Sequence, residues 1–125
     1  MTRALSLVKA KNPDVRCLTS GLLETVFVAK AHAKKEAEIR QTLAAMLSKL
    51  RVNGIVTVEQ IDVRDLLGCL SLRELYPLLS FYDALHASST LNRAGVLVSN
   101  DRLYNKVEGL KRSSFQDFIM ELESA

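Results

Sequence analysis

Three short apolar runs, Val15 to Thr19, Ile55 to Val58 and Val96 to Ser99, are separated by long stretches with helical spacing. No other feature constrains the fold as much. Antiparallel neighbours need only a tight turn between them, whereas parallel strands need a crossover of about a dozen residues or more, usually a helix. Helix-length stretches between the runs therefore predict crossover connections and a mostly parallel sheet in an α/β fold.

The helices follow from their periodicity and their punctuation. Ala4, Leu5, Leu7 and Val8 fit a short amphipathic helix closed by Asn12-Pro13. Ser20 is placed to cap a helix carrying Leu22, Leu23, Val26, Phe27 and Ala31. Ile39, Leu43, Met46, Leu47 and Leu50 mark a second, ending at Asn53-Gly54. Asp62 can cap a third that buries Leu66, Leu67 and Leu70, and Pro77 closes the helical region around Leu72 and Leu75. Ser80 caps the next helix, with Asp83 three residues on as in a capping box, and that helix runs to about Ala94 before Gly95. Arg102 to Val107 suggests a short helix. Ser113 with Gln116 starts a last one that buries Phe115, Phe118, Ile119 and Leu122.

A chain of 125 residues corresponds to a single domain, 1–125, and can bury a real core. The charged fraction of 25% and apolar fraction of 48% are those of a folded protein. A net charge of +3 permits a phosphate-bearing partner without demanding one. Cys17 and Cys69 are far apart, form no CxxC and fall in apolar runs, so they read as reduced core residues. The apolar stretch near the N-terminus is too short and too interrupted for a signal peptide or a membrane span, which predicts a cytoplasmic protein.

An open parallel sheet binds its ligands beyond the carboxyl ends of the strands; if this sheet is parallel, Glu24 and Asp101 face that edge, and Asp83 joins them if its helix begins there. Asp101 directly follows the last run, Glu24 lies one turn into the helix after the first, and Asp83 opens the helix feeding the last. Clustered carboxylates repel unless a cation joins them. Mg²⁺ or Mn²⁺ prefers oxygen ligands, lowers the pKa of a bound water and stabilises charge developing on a phosphodiester. Asp83 and Asp101 are the candidate metal ligands, with Glu24 completing the catalytic acids. Thr19, Ser20, Asn100 and Arg102 lie beside them as candidate phosphate contacts. Each residue also has an ordinary role: Asp83 at a helix N-terminus, Asp101, Thr19 and Ser20 as caps, Glu24 as a first-turn acid, Asn100 as a turn former. His86, one turn after Asp83, reads as a packed helix residue.

Phe81-Tyr82-Asp83-Ala84-Leu85-His86-Ala87-Ser88-Ser89, followed by Leu97-Val98-Ser99-Asn100-Asp101-Arg102, closely resembles the C-terminal half of PIN domains, the ribonucleases typified by VapC-type toxins. Thr19-Ser20-Gly21-Leu22-Leu23-Glu24-Thr25-Val26 resembles the family's second strand and the helix bearing its Glu, and Val107-Glu108-Gly109-Leu110 resembles its tail. The resemblance runs from about Ala4 to Met120. It implies a Rossmann-like, three-layer α/β/α fold and a Mg²⁺- or Mn²⁺-dependent endoribonuclease. Glu24, Asp83 and Asp101 then match three of the family's four site acids. It further implies a homodimer and, for toxins, an antitoxin protein as partner.

One departure concerns the family's first strand, which carries an Asp and lies centrally, between the 15–19 and 96–99 runs. This sequence starts at the helix that follows, and Asp14, its first acid, does not match. The expectation is a PIN-like domain truncated at its N-terminus. Its native chain is longer, or its flanking strands pair directly, or another chain supplies the strand. The rival function is a catalytically inactive PIN-like module that binds RNA or a protein. A receiver-like regulatory domain fits less well, since receivers carry their acids at the ends of their first strands.

Overall fold

A computed structural model describes residues 2–124. The chain divides into two compact units, 1–59 and 60–125. The first contains α1 (Thr2–Lys11), β1 (Cys17–Leu18), α2 (Thr19–Ala31), α3 (Glu36–Val52) and β2 (Val58–Glu59). The second contains α4 (Val63–Leu75), α5 (Phe81–Asn92), β3 (Val96–Val98), a 3₁₀ helix (Arg102–Lys106), β4 (Lys111–Ser113) and α6 (Phe115–Ser124). No helix among the described residues is long and apolar enough to cross a membrane.

The described strands form two parallel pairs, β1 with β2 and β3 with β4. The fold is thus α/β with short parallel sheets, as the alternation predicts. In the first unit Cys17 lies opposite Val58 and Leu18 opposite Glu59, so the second strand starts later than the predicted Ile55 to Val58. Ile55 is instead a buried residue just after Gly54, whose φ of +87° releases the chain from α3. Arg16, beside β1, bonds both Asp14 and Glu59, an exposed link between the start of β1 and the end of β2. Ala4, Leu5, Leu7 and Val8 are the buried face of α1, as their spacing predicts.

The start of α2 differs from expectation. Leu18 is its N-cap, with no side-chain cap, and Ser20 lies inside the helix, 1% exposed. Short apolar strands that run straight into helices blur this boundary, because a Ser next to the junction satisfies a capping pattern wherever the turn begins.

In the second unit the core gathers Cys69, Leu79, Ala84, Leu85 and Val107, flanked by Leu72, Tyr76 and Leu103. The face of α4 differs from the predicted one. Leu66, Leu67 and Leu70 are exposed at 43%, 62% and 53%, while Asp65 and Cys69 are the buried residues. The cause is a polar anchor. Asp62 caps α4 and forms a capping box with Asp65, each side chain bonding the other's backbone N–H at 3.1 Å. The fully buried Asp65 carboxylate then accepts from Asn92 Nδ2 at 2.8 Å and from both Arg93 Nη1 (3.0 Å) and Nη2 (3.1 Å), at the end of α5. A charge-assisted fork of this kind fixes which side of α4 faces α5. Burial pushes the Asp65 pKa up. The hydrogen bonds from Arg93, Asn92 and the Asp62 N–H, with the Arg93 charge, outweigh it and bring the pKa from 3.8 down to about 2.

Small residues let the two helices approach. A Cβ built on Gly68 would lie 2.3 Å from the Ser88 hydroxyl oxygen. Both cysteines are free; Cys69 is fully buried and Cys17 half-buried, and burial raises both thiol pKa values. Asn92 is the last residue of α5, and the left-handed residue after it is Ala94 (φ +51°), one position before the expected Gly95.

β4 is the strand that the sequence does not announce. Lys111-Arg112-Ser113 has no apolar run, yet it pairs in parallel with Val96-Leu97-Val98, and Ser99 N–H extends the ladder to Ser113 O at 2.9 Å. In consequence α6 begins at Phe115, capped by Ser114 through Asp117 N–H (3.0 Å), one residue beyond the predicted Ser113 and Gln116. Its Leu122 is buried, while Phe115, Phe118 and Ile119 are half-buried.

Candidate metal and RNA site

Asp83 owes its position to the start of α5. Ser80 is the N-cap, and its Oγ accepts the Asp83 N–H at 3.1 Å. The expected reciprocal bond does not form. The half-buried Asp83 turns its carboxylate to the 3₁₀ helix, where Oδ1 accepts the Tyr104 hydroxyl at 3.2 Å. Tyr104 is rooted in the core, 4% exposed.

Asp101 sits just past the carboxyl end of β3. It is the N-cap of the same 3₁₀ helix, its Oδ1 accepting Leu103 N–H at 2.9 Å, and its own N–H donates to Ser99 Oγ at 3.2 Å. Asn100 holds the next element, accepting Phe115 N–H at 3.0 Å on Oδ1. Arg112 Nη1 donates to Ser99 O at 2.7 Å, and its Nε donates to Asn105 Oδ1 at 2.8 Å. Arg102 is exposed in the first turn of the 3₁₀ helix.

One short helix therefore touches both acids: its cap is Asp101, and its Tyr104 bonds Asp83. A helix that feeds a strand antiparallel to itself must begin near the strand's carboxyl end, and the Tyr104–Asp83 bond places the start of α5 there. Each carboxylate is engaged through Oδ1, and Oδ2 of each accepts no hydrogen bond from the described residues.

Glu24 belongs to the first unit. It is half-buried on α2 and lines a cleft of about 490 Å³ with Thr25, His32, Lys34, Glu38 and Thr42. His32 Nδ1 lies 2.8 Å from Val28 O, which can only accept, so that nitrogen carries the proton. Thr19 is the first residue of α2 and half-buried. Ser20, expected at the surface as a phosphate contact, is buried and presents no hydroxyl to solvent. Lys30 pairs with Glu36 at 2.7 Å on the exposed surface. His86 is a half-buried helix residue, its ring 6.4 Å from that of Tyr82.

The donor chemistry suits a hard divalent cation. Among the described residues neither unit holds a group of three or more His, Cys, Asp or Glu able to ligate a metal ion. Mg²⁺ does not need such a cage: it keeps several waters and binds through one or two carboxylates. The Asp83 and Asp101 pair, each with a carboxylate oxygen not engaged by the described residues, fits that mode.

Tyr104 is the residue that sequence reasoning missed. Its only signal is its place three residues after Asp101 in a short helical stretch, and nothing in that spacing announces a bond to Asp83.

A family model described as PIN domain matches residues 3–110, which cover most of the chain and run through both units. Searches of curated proteins and of solved structures gave no significant match. The chain belongs to the PIN domain family, whose members are in general nucleases that bind RNA and use divalent metal ions.

Proposed function

We infer that this chain is a Mg²⁺- or Mn²⁺-dependent endoribonuclease, with residues 1–125 acting as one PIN domain. The observation that carries the reading is the fastening of Asp83 and Asp101 to one 3₁₀ helix at the carboxyl end of β3, within a chain of this family. Asp83 and Asp101 would hold the ion through their carboxylate oxygens, and Glu24 is proposed as a further catalytic acid on the strength of the family resemblance. When bound, such an ion supplies Lewis-acid polarisation of the phosphodiester and acidifies water.

The chain's own residues do the positioning. The Leu103 N–H and the Tyr104 hydroxyl each engage one oxygen of a carboxylate, which leaves the other oxygen of each for an ion. Preorganised ligands cost no rearrangement at the moment of reaction. Arg102, exposed beside Asp101, supplies a cation for a substrate phosphate, and the net charge of +3 favours approach of RNA. We further propose that the protein is cytoplasmic, acts as a homodimer and is the toxin of a toxin–antitoxin pair, restrained by an antitoxin protein.

Incubation of the purified chain with RNA and Mn²⁺ tests the enzyme reading. Cleavage should be abolished by chelation and lost in Asp83→Asn, Asp101→Asn and Glu24→Gln. Retained RNA binding with no cleavage in the wild type would point instead to an inactive binding module. Growth arrest on expression, relieved in Asp83→Asn, tests the toxin assignment.

A further inference from the structure

The geometry points to Tyr104 as a positioning residue for Asp83, part of a brace that sets the two metal-ligand carboxylates relative to each other. This rests on the proposed metal-dependent nuclease reading. Its basis is the combination of a buried ring, an aimed hydroxyl and a shared turn. Tyr104 as a whole is 4% exposed, so its location is set by core packing and not by solvent. From that fixed base the hydroxyl reaches Asp83 Oδ1 at 3.2 Å.

The backbone of Asp83 is already held by Ser80, but a helix cap leaves the carboxylate free to rotate about its terminal torsion, which is broad and roughly two-fold. The Tyr104 hydroxyl removes that freedom. The residue before Tyr104 is Leu103, whose N–H is taken by Asp101 Oδ1 at 2.9 Å. Adjacent residues of one turn thus grip both acids, and a shift of this turn moves them together.

A plainer role exists for a buried tyrosine: its hydroxyl needs a partner, and Asp83 is one. The two roles separate in Tyr104→Phe, which keeps the ring and removes only the donor. If the hydroxyl merely satisfies itself, the change alters stability and leaves metal affinity alone. If it orients Asp83, metal affinity falls in a protein that is still folded. Partners that orient metal ligands typically contribute about 10–100-fold in affinity, and one hydrogen bond to one ligand argues for the lower end, about tenfold.

The experiment measures Mn²⁺ binding to the full chain by electron paramagnetic resonance of free Mn²⁺, for wild type, Tyr104→Phe and Asp83→Asn, with thermal melts and RNA-cleavage kinetics on the same samples. The expected result is an approximately tenfold weaker Mn²⁺ affinity in Tyr104→Phe, a lower kcat with little change in KM for RNA, and a cooperative melt. Wild-type affinity in Tyr104→Phe, alongside lost binding in Asp83→Asn, overturns the positioning role and leaves the nuclease reading standing. Absence of Mn²⁺ binding in the wild type, or undiminished binding in Asp83→Asn, overturns both.

Discussion

Replacing Arg93 with methionine should be among the most damaging single changes in the second unit. Arg93 grips both oxygens of Asp65, a carboxylate with no exposed surface, and donates to the carbonyls of Ser89 (2.8 Å) and Gln60 (2.7 Å). Arg93→Met leaves the buried charge with only Asn92 and the Asp62 N–H. Two routes bound the cost. Removing one partner of a buried ion pair costs about 3–5 kcal/mol. The fall in the Asp65 pKa from 3.8 to about 2 corresponds to roughly 2 kcal/mol of preference for the ionised form. A loss of about 3 kcal/mol is expected against a typical total of about 5–15 kcal/mol. Urea unfolding at pH 7, followed by far-UV circular dichroism, reads it directly. A loss below about 1 kcal/mol would refute the claim that this pair anchors α4 on α5. The double variant Asp65→Leu/Arg93→Met should recover most of the loss, because an apolar pair of similar volume often equals a buried ion pair.

The same pair sets an acid limit. The folded pKa of Asp65 lies below the unfolded one, so its stabilisation is complete above about pH 4 and is lost as pH falls toward about 2; urea midpoints across that range should drop in the wild type and lose this step in Asp65→Leu/Arg93→Met. Asp101→Asn keeps the cap on Leu103 and removes the charge, so Mn²⁺ binding should fail at near-normal melting temperature, whereas Asp101→Ala should also lose about 1 kcal/mol of stability. Gly68→Ala should destabilise by about 1–3 kcal/mol despite the better helix propensity of alanine, because its Cβ meets Ser88 Oγ at 2.3 Å. Adding Ser88→Ala should restore most of that loss in a thermal melt, since the Ser88 Cβ lies at 3.4 Å.

Elements marked by local chemistry were readable in advance. The spacing of Ala4, Leu5, Leu7 and Val8, the caps at Asp62 and Ser80, and the Asn53-Gly54 stop depend on neighbours in sequence, and the structure reproduces each. Features that depend on distant partners were not. Leu66, Leu67 and Leu70 look like a core stripe until Arg93, 28 residues after Asp65, turns another face inward. Lys111-Arg112-Ser113 becomes a strand only because β3 offers it a ladder. The places of Asp83 and Asp101 at a helix start and just past a strand were legible from local sequence, but the bond from Tyr104 to Asp83 was not. A hydroxyl donating across 21 residues leaves no periodic trace.

The PIN match stops at residue 110, and β4 occupies Lys111–Ser113. Trimming the chain to the matched segment would therefore do more than shorten a tail. It would strip β3 of its ladder partner and remove the Phe115 amide that Asn100 holds. The excursion carrying Asp101 and Tyr104 would then be pinned at one foot instead of two. The acidic turn borrows its rigidity from a segment that carries none of the chemistry.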